Sequence, residues 1–138
     1  MDCLFCKIIN GEVPAQVVYE DKSVLAFLDL FPSNPGHVLV VPKKHCENLL
    51  DASGEDLRSL ISVIPKIAAA ALKSVDCEGF NLAVNNGKVA GQVIPHLHFH
   101  IVPRIEGDGH ELFHGTKAKV EDLEEIKEKL RRNLREIY

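Results

Sequence analysis

The alternation and spacing of apolar residues predict five strands. Four short stretches rich in β-branched and aromatic residues are typical of strands, and they lie at residues 16–20, 23–29, 37–42 and 79–85. A fifth predicted strand, within residues 91–103, alternates apolar residues with histidines. Turn-forming residues at 31–36, "FPSNPG", separate the second strand from the third.

Two segments, residues 53–75 and 120–137, have the three- and four-residue apolar spacing of amphipathic helices. Ser53, followed three residues later by Asp56, resembles a capping box at the start of the first helix. Pro65 lies inside that helix, and we expect it to kink or break the helix. Five strands with two separated helices predict an α+β fold with a mainly antiparallel five-stranded sheet.

Length and composition predict a single domain over residues 1–138. A chain of 138 residues can bury a core, and no repeat or linker-like stretch divides it. The net charge of -4 argues against a general binder of nucleic acid or membrane surfaces. No apolar run is long enough to span a membrane, and the first residues lack the layout of a signal peptide, so we expect a cytoplasmic protein.

Three of the seven histidines alternate within the fifth predicted strand. In an extended chain His96, His98 and His100 share one face, which leaves the other face to the apolar residues between them. A polar strand face that happens to use histidine is the alternative, although such faces more often carry Thr, Lys or Glu. Imidazole titrates near neutral pH and can act as nucleophile, proton donor or metal ligand. Glycines and polar groups in the preceding loop, residues 85–92, suit phosphate oxygens, so the pattern indicates phosphate chemistry.

Two of the four cysteines, Cys3 and Cys6, have the spacing of half a zinc site. There is no second pair of this spacing, so the remaining ligands of such a site would be histidines. A redox pair is one alternative, but redox pairs usually open a helix that follows a strand. Two ordinary thiols are the other alternative, and we expect Cys46 and Cys77 to be ordinary thiols as well.

Three longer motifs give the chain a family resemblance. "HLHFHIV" matches the signature His-φ-His-φ-His-φ-φ, with φ apolar, of the histidine triad family. "CLFCKIINGEVPAQVVYEDKSVLAFLD", "NPGHVLVVPKKH" and "AGQVIPHLHFHIVPR" resemble its Hint-type branch, so that the likeness covers nearly the whole chain. The resemblance implies a five-stranded sheet with a central and a C-terminal helix. It also implies a hydrolase or transferase that acts at the α-phosphate of purine nucleotide conjugates.

The same resemblance implies a role for each histidine of the site. His98 would be the nucleophile that forms a nucleotidyl-histidine intermediate, which water then resolves. His100 would contact the phosphate or the departing group, and His37 would complete the site from the neighbouring strand. The main-chain carbonyl of His96 would set the tautomer of His98.

The resemblance also assigns seven residues to a nucleotide pocket, with Phe5, Ile8 and Phe27 at the base, Asp29 at the ribose hydroxyls, and Asn85, Gly91 and Gln92 at the phosphate. Ile8 and Phe27 as plain core residues, and Asp29 as a turn cap, are the alternatives. The branch commonly has a serine after the glutamine, whereas this chain has Val93. This departure affects one phosphate contact and the expected preference for phosphoramidates.

For the metal site the resemblance supplies His45 and His96, so that Cys3, Cys6, His45 and His96 would bind one zinc ion per chain. The zinc would be structural, because four protein ligands leave no position for water. Members of this type are commonly homodimers that pair through the 53–75 helix, where the alanines of "AAAAL" at 68–72 would allow a close approach.

Three other functions compete with a Hint-type hydrolase. "HIVPR", with Arg104, also resembles the branch that hydrolyses dinucleoside polyphosphates. A non-catalytic nucleotide-binding or scaffold protein is a second possibility, although a binder needs no nucleophile. Transfer to sugar phosphates is the least favoured, because the related transferases have His-Pro-His where this chain has His96-Leu97-His98.

Overall fold

The structure, a computed structural model, describes residues 2–137 and divides into two compact units. The first unit extends to Asp108 and the second begins at Gly109. The single domain expected over residues 1–138 therefore stays a prediction, and the two units are described separately. Within residues 2–137, no helix combines the length and the apolar character needed to cross a bilayer.

The described part of the first unit has five strands and two α-helices. In chain order they are α1 (Leu4–Ile9), β1 (Val17–Glu20), β2 (Val24–Leu28), β3 (Val38–Pro42), α2 (Gly54–Val75), β4 (Gly79–Val84) and β5 (Phe99–Arg104), with a 3-10 turn at Lys88–Ala90. The sheet order is β1-β2-β3-β5-β4, and each neighbouring pair is antiparallel. The predicted α+β fold with a mainly antiparallel sheet is confirmed.

The apolar spacing did not predict helix α1. Cys3 is its N-cap, since the Cys3 Sγ accepts a hydrogen bond from the Cys6 N–H at 3.4 Å. Six residues are too few for a helical period to stand out in a sequence. The Cys-x-x-Cys pair therefore opens a helix, but no strand of the described residues precedes that helix.

Helix α2 begins as predicted, with the Ser53 Oγ accepting a hydrogen bond from the Asp56 N–H at 3.1 Å. The helix continues through Pro65, so the break that we considered there is wrong. Pro65 lies on the solvent-facing side of α2, as does Ile61 one turn earlier. Water can therefore solvate the Ile61 carbonyl that Pro65 leaves without an N–H partner.

Apolar residues cover both sides of the sheet. The α2 side holds the larger cluster, which includes Val24, Val40, Leu60, Ile64, Ile67, Leu97, Phe99 and Ile101. The α1 side holds a smaller cluster of Cys3, Phe5, Leu25, Phe27, Leu39 and Val41. His100 lies opposite Leu39 in the β3–β5 register and so shares the α1 side of the sheet. The predicted separation of histidines from the apolar residues between them is confirmed.

The histidine-bearing strand is shorter than the sequence predicts, because β5 begins only at Phe99. His96 and His98 precede it in irregular chain. Pro95 lacks an N–H for a sheet ladder, and the Leu97 N–H donates to the carbonyl of Cys46 in a loop at 2.8 Å. These two features hold the residues before Phe99 against a loop, so the chain joins the sheet only at Phe99.

The second unit contains helix α3 (Val120–Ile137), which confirms the predicted C-terminal helix. Acidic residues occupy its first turn and Arg135 lies in its last turn. Charges in this order interact favourably with the helix dipole and so stabilise the helix. Lys129 and Glu125, one turn apart, form an exposed ion pair of 3.2 Å.

Candidate active site and metal centre

Four ligand atoms converge where α1 meets the chain before β5. The His96 Nδ1 lies 3.4 Å from the Cys3 Sγ and 3.6 Å from the Cys6 Sγ. The His45 Nδ1 lies 3.4 Å from the Cys6 Sγ and 3.1 Å from the His96 Nδ1. Cys3 and His96 are buried, and the other two are half-buried. The structure thus brings together the four residues that the resemblance assigned to a metal.

The geometry of this cluster fits a tetrahedral metal ion. Zn–S bonds of about 2.3 Å and Zn–N bonds of about 2.0–2.1 Å place tetrahedral ligand atoms roughly 3.3–3.8 Å apart. The observed separations run from 3.1 to 3.6 Å. The His96 Nε2 lies 2.9 Å from the carbonyl oxygen of Pro42, to which it donates, so Nδ1 keeps its lone pair toward the thiols. Two ordinary thiols would not require imidazole lone pairs to face them.

Burial favours the neutral forms of Cys6 and His96. Burial and the neighbouring Cys3 together raise the pKa of the Cys6 thiol to about 11. Burial lowers the pKa of His96. The cluster therefore holds neutral imidazole, whose lone pair a metal can accept, beside thiols that a metal would convert to thiolates.

His98 is oriented by the residue two positions before it. Its Nδ1 donates to the main-chain carbonyl of His96 at 2.7 Å, so its Nε2 retains the lone pair. Burial lowers the pKa of His98, which keeps the ring neutral at pH 7. The ring of Phe5 stands edge-on to it, with ring centroids 5.1 Å apart. His98 therefore presents a neutral ring of fixed orientation, whose Nε2 has the chemistry of a nucleophile.

A chain of hydrogen bonds gives His100 the opposite tautomer from His98, with its proton on Nε2 instead of Nδ1. The Ser33 N–H donates to the His37 Nδ1 at 3.0 Å, so a neutral His37 carries its proton on Nε2. That Nε2 donates to the His100 Nδ1 at 2.9 Å, which leaves the His100 proton on its own Nε2. Burial and the nearby His98 and His37 lower the pKa of His100 to about 4. The buried His100 Nε2 has no hydrogen-bond partner among the residues that the structure describes.

The rings of His98 and His100 lie next to each other, with centroids 4.9 Å apart. One therefore offers a lone pair and the other an N–H donor at the same place. A phosphoryl group bound there would meet a nucleophile and a hydrogen-bond donor together.

These two histidines line a pocket of about 430 Å³ on the α1 side of the sheet. Six of the seven predicted nucleotide-binding residues also line it, namely Phe5, Ile8, Phe27, Asp29, Asn85 and Gly91. A larger groove of about 620 Å³ lies against α2, but its lining contains no histidine, cysteine or carboxylate. The candidate active site is therefore the smaller pocket.

Asp29 has two roles in the structure. Its Oδ1 accepts a hydrogen bond from the Phe31 N–H at 2.9 Å, as a turn cap does. Its Oδ2 lies 3.6 Å from the His37 Nε2, and the side chain is 20% exposed. The turn fixes the carboxylate while one oxygen remains at the pocket.

Gln92 is the predicted nucleotide-binding residue that does not line the pocket. Its amide donates to the carbonyls of Glu47 at 2.6 Å and Ile94 at 3.1 Å, and its Oε1 accepts from the Gly87 N–H at 2.9 Å. All polar groups of the side chain are thus engaged within the protein. Gln92 shapes the loop that carries Gly91, whose φ of 93° favours glycine.

Sequence reasoning gave no role to several other residues of the pocket wall. Leu30 and Phe31, directly after Asp29, line the pocket although they are largely exposed. Two consecutive exposed apolar residues after a predicted ribose ligand were a usable signal. Val93, noted only as a departure from the family pattern, also lines the pocket and is 85% exposed.

Arg104 does not line the pocket. Two of its nitrogens bond to the two carboxylate oxygens of Asp108 at 2.8 Å, and a third bonds to the Asn81 Oδ1 at 2.6 Å. Arg104 therefore binds neighbouring side chains at the end of β5 and does not contribute to the pocket lining.

Comparison of the sequence with known proteins identifies similar proteins of one family. The HIT domain pattern matches residues 10–107 of the chain. An uncharacterised HIT-like protein of Methanocaldococcus jannaschii is 52% identical over 124 residues, which cover 90% of this chain and 95% of that protein. An adenosine 5'-monophosphoramidase of Schizosaccharomyces pombe is 38% identical over 104 residues, 75% of each chain.

Solved structures of histidine triad proteins are also similar to this chain. A histidine triad nucleotide-binding protein from Candida albicans superposes with a TM-score of 0.89 at 31% identity, covering 99% of this chain and 100% of that one. A zinc-bound histidine triad family protein from Mycobacterium smegmatis superposes with a TM-score of 0.76 at 39% identity, covering 85% of each chain.

Proposed function

The chain belongs to the HIT domain family, and we propose that it hydrolyses purine nucleotide conjugates at the α-phosphate, with His98 as nucleophile. One observation carries the proposal: His98 and His100, whose Nδ1 atoms are bonded to the His96 carbonyl and to His37, line one pocket with their ring centroids 4.9 Å apart. The pocket has an apolar wall for a purine and a carboxylate, Asp29, for the ribose hydroxyls. Such a site suits transfer of a nucleotidyl group to histidine.

In the proposed reaction the His98 Nε2 attacks the α-phosphorus while the bond to the leaving group breaks. The Nε2–H of His100 donates a hydrogen bond to the phosphate or to the departing group, and the departing nitrogen or oxygen takes its proton from water. The carbonyl of His96, bonded to the His98 Nδ1–H, stabilises the positive charge that develops on the imidazole. Water then attacks the nucleotidyl-histidine, which releases the nucleoside monophosphate and restores His98.

Two observations favour this reaction over its competitors. Arg104, the residue that suggested dinucleoside polyphosphates, is bound to Asp108 and Asn81 instead of facing the pocket. The neutral, oriented His98 is a feature that a non-catalytic nucleotide binder has no need of. The phosphoramidase activity named for the Schizosaccharomyces pombe relative points the same way.

The proposal includes one structural zinc ion per chain, bound by Cys3, Cys6, His45 and His96. The ligand spacing, the Nδ1 lone pair of His96 and the zinc-bound Mycobacterium smegmatis neighbour support it. A bound zinc would supply a cross-link between α1 and the chain before β5. With four protein ligands the site has no open position at which to activate water.

We also propose that the protein is a cytoplasmic homodimer. The edge strand β4 is exposed and presents Phe80 and Leu82, while Ala69 and Ala70 of α2 are exposed. The other two alanines of the run, Ala68 and Ala71, belong to the core. Four free cysteines suit a reducing compartment. Sedimentation that shows a monodisperse monomer at micromolar concentration would contradict the dimer, and cell fractionation tests the location.

Steady-state kinetics and trapping test the reaction. We expect turnover of adenosine phosphoramidate to exceed that of a diadenosine polyphosphate, and acid quenching to trap an adenylylated protein modified at His98. A preference for the polyphosphate would favour the competing hydrolase. Binding of AMP with no turnover of either compound would favour a nucleotide-binding protein.

A further inference from the structure

Helix α1 contributes to both sites at once. Cys6 lies in the helix and Cys3 caps it, and both belong to the metal cluster. Leu4, Phe5 and Ile8, from the same turn and a half, line the nucleotide pocket. Any shift of α1 would therefore move ligands of one site and the wall of the other.

Few polar interactions join this helix to the rest of the chain. Its backbone hydrogen bonds are local, and they join residues 3–13 to each other. Among the residues that the structure describes, the polar contacts from 2–13 to the rest of the chain are those of Cys3 and Cys6 with His45 and His96. A helix of six residues is not stable alone, so its position depends on apolar packing and on the metal cluster.

Phe5 links the two sites through ring contacts. Its centroid lies 6.0 Å from that of His96, a cluster residue, and 5.1 Å from that of His98, the proposed nucleophile. It also packs edge-on against Phe27 of the pocket wall at 5.4 Å. Phe5 is buried, so α1 cannot move away without opening this packing.

We propose that metal binding at Cys3, Cys6, His45 and His96 and nucleotide binding in the pocket are positively coupled, with α1 as the shared element. The inference rests on the proposed function for the identity of the nucleotide. Either ligand orders α1. The second ligand then binds to a protein that has already lost the conformational entropy of α1, so its binding is more favourable. By linkage, each ligand raises the affinity for the other by the same factor.

Calorimetry with AMP on the wild-type protein, zinc-loaded and metal-stripped, tests the coupling. We expect the Kd for AMP to be roughly tenfold weaker without metal, within the ordinary range for coupled sites. Zinc competition against a chromogenic chelator should show tighter zinc binding by the same factor at saturating AMP. Hydrogen exchange should show faster exchange of the amides of residues 4–13 in the stripped protein.

Variants separate the coupling from a general loss of folding. Cys3→Ser with Cys6→Ser should bind AMP as the stripped protein does, while Cys77→Ser, a change of a thiol outside the cluster, should bind like wild type. Equal AMP affinity with and without zinc would overturn the coupling and leave the proposed function intact. Failure of both forms to bind AMP would overturn both. If stripping unfolds the chain, the zinc competition on the loaded protein still decides, because an unchanged zinc affinity with AMP overturns the coupling.

Discussion

His96 and His98 are two residues apart on one side of the chain, yet they belong to different sites. His96 donates from Nε2 to the carbonyl of Pro42 and turns its Nδ1 to the cysteines. His98 donates from Nδ1 to the carbonyl of His96 and leaves its Nε2 for the pocket. In the proposed function, the same type of side chain is therefore a metal ligand at one position and a nucleophile two residues later.

The difference lies in which ring nitrogen a backbone carbonyl occupies. Both rings are buried, and burial lowers the pKa of each, so neither burial nor charge separates them. A carbonyl acceptor fixes the proton on one nitrogen and so selects the nitrogen that remains basic. The comparison predicts that changes at the two histidine clusters have effects of different kinds as well as of different size.

Removal of the nucleophile should have the largest effect. We expect His98→Ala to lower kcat by about 10⁴-fold or more, because the covalent intermediate can no longer form. The affinity for AMP should change little, since the apolar wall and Asp29 remain. Steady-state kinetics and calorimetry measure the two quantities. His114→Ala, a change of an exposed histidine of the second unit, is the matched control, and a kcat for His98→Ala near that of the control would refute the assignment.

Loss of the metal cluster should act mainly on stability. Cys3→Ser with Cys6→Ser should abolish zinc binding and lower the Tm by about 10 °C or more, because metal-binding energy is also folding energy. The value of kcat should fall far less than in His98→Ala. Metal analysis and thermal unfolding provide the test, with Cys77→Ser as control. A wild-type protein that is purified without metal, and a double variant of unchanged Tm, would make Cys3 and Cys6 ordinary thiols.

At the ribose end of the pocket the expected effect is smaller and selective. Asp29→Ala should weaken binding of AMP by roughly 100-fold or more, since the hydrogen bonds from the two ribose hydroxyls to a charged acceptor contribute about 1.5–3 kcal/mol each. Dideoxy-AMP should lose little affinity, because it has no hydroxyls for that acceptor. Asp29→Asn, which keeps an acceptor for the Phe31 N–H, separates this loss from damage to the turn. Equal losses for both nucleotides would assign Asp29 to the fold.

The smallest effect concerns pH and His100. The pKa of His100 falls from 6.5 to about 4 in the folded protein, so between these values the unfolded chain binds a proton that the folded chain does not. Stability is therefore retained above pH 6.5 and is lost as pH falls toward 4, by roughly 1–2 kcal/mol at pH 5 from this residue. Urea unfolding at pH 7.5 and pH 5 measures the loss. His100→Asn should show a smaller difference between the two pH values, and an unchanged difference would argue against a buried neutral His100.

Much of this architecture follows from local sequence patterns. Apolar alternation and helical spacing repeat over several residues, so they predicted the five strands, α2, α3 and the separation of histidines from their apolar neighbours. The Ser53 cap was predictable because its partner lies three residues away. The family motifs also named the four residues of the metal cluster and six residues that line the pocket.

Only the tertiary structure decided the rest, because those features depend on partners that are distant in sequence. The late start of β5 depends on a bond from Leu97 to Cys46, and the position of Gln92 depends on the carbonyl of Glu47. Arg104 is held through Asn81, which belongs to another strand. The basic nitrogen of His96 is set by the carbonyl of Pro42, 54 positions away. No spacing rule reports such a bond, since a hydrogen bond needs two groups within about 3 Å, and only the folded chain brings them there.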